Sequence, residues 1–126
     1  MFELTIKENV YQFKFGMGFM REINKRIKAP VDGLKDVTQN IGLRYFISSI
    51  ISGDMEALVE VLNVANFGFT PRLTNGLLDA YLEDEETDID KLFEDVLGFL
   101  KTANVTKKVT LEILAEVEKA KAAQNQ

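Results

Sequence analysis

The sequence predicts an α+β fold that is mainly α: an N-terminal β-hairpin followed by a compact bundle of five or six helices. Three observations carry this reading. Apolar and polar residues alternate with period two through the first fifteen positions, and beyond Gly18 the apolar spacing changes to three and four residues. At 126 residues the chain is long enough to bury one real core and has no need of a second. The expected organisation is one domain over 1–126, with the hairpin at 1–16, a helical body at 17–103 and a C-terminal helix with a frayed tail at 104–126.

In the hairpin, Phe2, Leu4 and Ile6 point one way and Glu3, Thr5 and Lys7 the other. Alternation resumes with Tyr11, Phe13 and Phe15, which places the turn near Glu8 and Asn9. Gly16 and Gly18 mark its end. Met20, Ile23 and Ile27 then give one apolar side and Arg21, Glu22, Lys25 and Arg26 a polar one, an amphipathic helix stopped by Pro30 and Gly33. Residues 34–52 carry Leu34, Val37, Ile41, Phe46, Ile47, Ile50 and Ile51 at helical spacing, which reads as the most buried helix.

Ser52-Gly53-Asp54 reads as a stop followed by an N-cap, because an aspartate oxygen accepts from the free N–H groups of the next helix. That helix presents Leu58, Val61, Leu62 and Ala65. After the loop Asn66-Phe67-Gly68-Phe69, Thr70-Pro71 reads as a helix start, with Leu73, Leu77, Leu78 and Tyr81 inward. Residues 83–88 form an acidic linker. Asp88 then caps a helix bearing Leu92, Phe93, Val96, Phe99 and Leu100, and a last helix starts near Thr106, with Val109, Ile113, Leu114 and Val117 on one side.

Composition narrows function. The chain has no cysteine and no histidine, so the commonest nucleophilic, general-base and transition-metal side chains are missing. The reading is a non-enzyme with no catalytic, metal-binding or cofactor-binding residues and no cofactor. No apolar run approaches the roughly 20 residues of a membrane span, and the start, with Glu3 after Phe2, is unlike a signal peptide, so the cytoplasm is expected. The net charge of -5 is uneven: residues 1–30 hold six Lys/Arg against three Asp/Glu, and residues 79–95 hold nine acids against one lysine. Nucleic acid is therefore disfavoured as a partner. An alternative reading remains, a small nucleic-acid-binding regulator using Arg21, Lys25, Arg26 and Lys28.

Other constellations have plain readings. Gly16-Met17-Gly18 lacks the rest of a phosphate-loop motif and reads as a turn. The acids Glu83, Asp84, Glu85, Glu86, Asp88 and Asp90 lack the glycine and ligand spacing of a calcium loop; a metal-dependent enzyme would need them to converge with a cation. Phe67 and Phe69 in a loop are either a plug on the core or anchors for a partner. Ile113 and Val117 either close the core or form an amphipathic arm completed by a partner helix. An unpaired hairpin edge and a spare amphipathic helix also make a homo-oligomer an option.

The run Phe13-Lys14-Phe15-Gly16-Met17-Gly18-Phe19-Met20-Arg21-Glu22-Ile23-Asn24 resembles the tail assembly chaperones of long-tailed, siphovirus-type bacteriophages, especially those infecting Gram-positive bacteria. The resemblance implies a protein that binds the tape measure protein, helps recruit tail tube protein, works in the host bacterial cytoplasm and is absent from the mature virion. It implies no active site. The expected contact is an apolar groove with an acidic rim that shields helical segments. A second, frameshifted length is also implied, and the Lys119-Ala120-Lys121 tail is compatible with it. Without the resemblance, the residues describe a helical protein-interaction module.

Overall fold

The structure, a computed structural model, describes residues 1–124. Strands β1 (Phe2–Ile6) and β2 (Asn9–Phe13) form an antiparallel hairpin in which Phe2 faces Phe13 and Ile6 faces Asn9. The alternation is realised: Phe2, Ile6, Tyr11, Phe13 and Phe15 are all buried. The turn lies one residue earlier than the sequence reading placed it. Its two central residues, Lys7 and Glu8, have φ of 49° and 71°, the left-handed pair that a type I′ turn requires. Neither side chain suits that conformation. Replacing Lys7-Glu8 by Asn-Gly should stabilise the protein by about 1 kcal/mol, read as a higher denaturation midpoint in urea.

Six helices follow among the described residues: α1 (Met17–Asn24), α2 (Gly42–Ile51), α3 (Met55–Ala65), α4 (Asn75–Glu83), α5 (Ile89–Thr102) and α6 (Lys107–Gln124). Their buried residues, with the aromatic face of the hairpin, make one core around Ile23, Ile47, Leu58, Leu62, Leu78, Val96 and Leu100. A two-stranded hairpin is marginal alone, and burial of its aromatics on the helices supplies what it lacks. Two caps match expectation. The Asp54 carboxylate accepts from Ala57 N at 3.1 Å and that of Asp88 from Lys91 N at 3.0 Å.

Three expectations are corrected. The helix over 34–52 is only Gly42–Ile51, because residues 28–40 build a second ribbon from β3 (Lys28–Pro30) and β4 (Thr38–Asn40). Gly33 and Asp36, at φ of 79° and 61°, break any helix there, and Leu34 and Val37 end up 56% and 43% exposed. The first helix accordingly stops at Asn24, before Pro30. Thr70-Pro71 does not open a helix. That peptide is cis, and α4 starts at Asn75, where Thr74 Oγ1 accepts from Leu77 N at 3.3 Å.

Helix α6 runs unbroken through Lys119-Ala120-Lys121 to Gln124; the end of the expected frayed tail, residues 125–126, lies outside the described residues. The α5–α6 corner is fixed by buried hydroxyls. Thr106 and Thr110 both donate to the Leu100 carbonyl, at 2.7 and 3.2 Å, so a carbonyl left free at the end of α5 is satisfied.

Candidate partner-binding surface

Asn66, the first residue past α3, is fully buried and uses its whole amide. Its Nδ2 donates to the Gln12 carbonyl at 3.0 Å and to that of Pro71 at 3.4 Å, while Oδ1 accepts from Leu73 N at 2.6 Å and an Arg72 guanidinium N–H at 2.7 Å. Two donors and two lone pairs are thereby matched. One side chain thus ties the hairpin, the end of α3 and the loop to α4. Lys14 N, donating to the Ala65 carbonyl at 2.9 Å, adds a backbone tie beside it.

Held this way, and reversed at Gly68 with φ 86°, the loop turns Phe67 outward. Phe67 is 41% exposed, with the Arg72 guanidinium 4.6 Å from its ring centroid and that of Arg26 6.0 Å away. Phe69 is half-buried beside it. Together with Met17 at the start of α1 they line a groove of about 610 Å³ whose rim carries Lys14 and Arg21. Across the segment Lys14–Gly16 lies a second groove of about 410 Å³, lined by Met1, Phe2, Phe15, Phe99 and Val105. Lys14 and Gly16 border both. The Phe2 and Phe99 rings meet at 5.1 Å, and Met1, Met17, Phe67 and Phe99 are exposed, so the face is rich in methionine and phenylalanine. Thioethers and aromatic rings adapt to varied apolar partners, and such a face suits repeated, reversible capture.

The rim of this groove is mixed in charge, with Lys14 and Arg21 beside Glu22. Lys14 and Arg21 make no ion pair among the described residues. Burial lowers the pKa of the Arg72 guanidinium from its ordinary value. The neighbouring cations are spent within the chain: Lys25 Nζ lies 2.8 Å from Glu22, and Arg26 binds Glu60 and the Glu22 carbonyl. The hydrogen bond from Lys25 holds the Glu22 carboxyl below its usual pKa. With Lys25 and Arg26 neutralised, the footprint suggested for nucleic acid shrinks to Arg21 and Lys28.

The four candidate anchors do not converge. Phe67 and Phe69 line the groove, whereas Ile113 is 5% exposed in the core and Val117 packs half-buried against it. Ile113 and Val117 therefore hold α6 onto the body in this conformation. Met1, Met17 and Phe99 escaped sequence reasoning because they lie on three separate segments. Two of the acids of 83–90 serve local structure: Asp84 accepts from Glu86 N at 2.9 Å and Asp88 caps α5. Among the described residues no three carboxylates group to hold a metal ion, and no helix is long and apolar enough to cross a membrane.

Comparison with curated proteins and with solved structures gives no match. A family model does match, over residues 3–123, from the first strand almost to the end of α6, and it is that of the phage tail assembly chaperone protein, TAC. With nearly the whole chain inside that match, this protein belongs to the phage tail assembly chaperone family.

Proposed function

We propose that the chain binds the tape measure protein of a siphovirus-type phage infecting a Gram-positive host, keeps its apolar helical segments from aggregating while tail tube protein assembles, and leaves before the virion is complete. The work is done by binding alone, in the host cytoplasm, without catalysis or a cofactor. The observation that carries this reading is the methionine- and phenylalanine-lined double groove on either side of Lys14–Gly16. Phe67 and Phe69 act as its anchors. Ile113 and Val117 support it only indirectly, by seating α6. Burying apolar area favours association without demanding one sequence in the partner.

Co-expression tests it. The tape measure protein should stay in the soluble fraction with the wild-type chain and return to the pellet with Met17→Asp/Phe67→Asp, both exposed positions whose change leaves the core intact. An unchanged pellet with and without the wild-type chain would count against the proposal. Phe67→Ala alone should cost no more than about 1 kcal/mol of stability, the scale of its contact with Arg72, measurable by urea denaturation.

A further inference from the structure

A third groove, of about 360 Å³, lies away from the Phe67 face, between the α2–α3 corner and α5. One wall is Ile50, Ile51, Gly53 and Met55; the other is Ile89, Phe93 and Leu97 of α5. Those three α5 residues are spaced by four, so they form a stripe about 12 Å long at 1.5 Å per residue. Met55 is 39% exposed, and Ile51, Ile89, Phe93 and Leu97 are half-buried. The fold leaves this apolar strip open to water.

Asp90 and Glu94 follow Ile89 and Phe93 by one residue each and run beside the strip as an acidic rail. Neither makes an ion pair among the described residues, whereas Lys91, between them in sequence, is turned to Asp95 at 3.2 Å. Among the described residues no cation pairs with this rail. Two unneutralised carboxylates along the strip favour a cationic ligand over an anionic one.

From this pairing of an open apolar strip with an unneutralised acidic rail, we infer that the groove is a second docking site, and that it takes a cationic amphipathic helix. Apolar side chains of the incoming helix at i, i+3 or i+4 and i+7 seat on Ile89, Phe93 and Leu97 over two turns, and lysines or arginines flanking them meet Asp90 and Glu94. The helix comes from a partner, not from the described body of this chain. The site is separate from the Phe67 groove, and the inference does not depend on the tape measure reading.

The probe is a short, fluorescently labelled peptide of leucine and lysine at helical spacing, titrated with the full chain by anisotropy, against a leucine–glutamate peptide of the same pattern. The leucine–lysine peptide should bind and the leucine–glutamate peptide should not. Asp90→Lys/Glu94→Lys should weaken binding roughly tenfold or more, as like charges then face each other, and Met17→Asp/Phe67→Asp should leave it unchanged. Circular dichroism of each variant confirms folding. Binding that survives the Asp90→Lys/Glu94→Lys change would show only general attraction to an acidic protein, and binding lost equally in the Phe67-face variant would place the peptide in the Phe67 groove; either result overturns the site. So would a dimer of the chain alone, seen in sedimentation and abolished by Phe93→Asp, because the groove would then be filled by a second copy.

Discussion

Gly42→Ala should destabilise the protein by about 3 kcal/mol, although the same exchange in an open helix position stabilises. Gly42 is the first residue of α2 and is buried against the end of α1; a Cβ there would sit 1.9 Å from the Ile23 carbonyl oxygen and 2.7 Å from that of Asn24. Both atoms are backbone and cannot swing aside, so the two helices must separate. The contact has a function in the fold. The α2 N-cap position, Ile41, offers no side-chain acceptor, and Asn24 Oδ1 accepts from Leu43 N at 3.2 Å in its stead, while the Ile23 and Asn24 carbonyls ending α1 face the positive start of α2. Gly98, inside α5, is the internal control. Its Cβ would meet nothing within 4 Å, so Gly98→Ala should raise stability by up to about 1 kcal/mol. Thermal melts of the two variants should therefore move in opposite directions, by roughly 4 °C per kcal/mol. Equal shifts of either sign would mean that α1 and α2 do not approach as closely as described.

The second large effect is expected at Asn66. Asn66→Ala removes four hydrogen bonds at once and strands the buried N–H of Leu73 and the Gln12 carbonyl, at a cost of about 3 kcal/mol. The loss falls on the loop that displays Phe67, so capture of partner should weaken together with stability. Phe67→Asp, in contrast, should lose partner while melting close to wild type. If Asn66→Ala melted like wild type, the amide would not be the tie between hairpin, α3 and loop.

The differing legibility of these features has physical causes. Period-two alternation fixed the hairpin to within one residue because each face of Phe2–Phe13 has one environment, and the caps at Asp54 and Asp88 were readable because they act three residues away. The ribbon at 28–40 was missed because Leu34, Val37 and Ile41 happen to fall at helical spacing, although Asp32-Gly33 and Asp36 already argue for turns. Neither Gly42 nor Asn66 announces its role, since the contact of Gly42 with Ile23 and that of Asn66 with Gln12 join residues distant in sequence and depend on how elements pack. In the candidate surface, Phe67 and Phe69 stood out as aromatics around a loop glycine. Met17 and Phe99 did not, because only folding brings the end of the hairpin beside α5. Ile113 was open to two readings until the core was seen to enclose it.

If an apolar face of this chain grips the tape measure protein, as proposed, a pull-down will show it. Purified chain serves as bait for the tape measure protein encoded with it, at low and at high salt, beside folded Met17→Asp/Phe67→Asp. Capture by the wild-type chain that persists at high salt, and is lost with the variant, is the predicted result, because buried apolar contacts are not screened. No capture by a folded bait, or capture that disappears with salt, would contradict it.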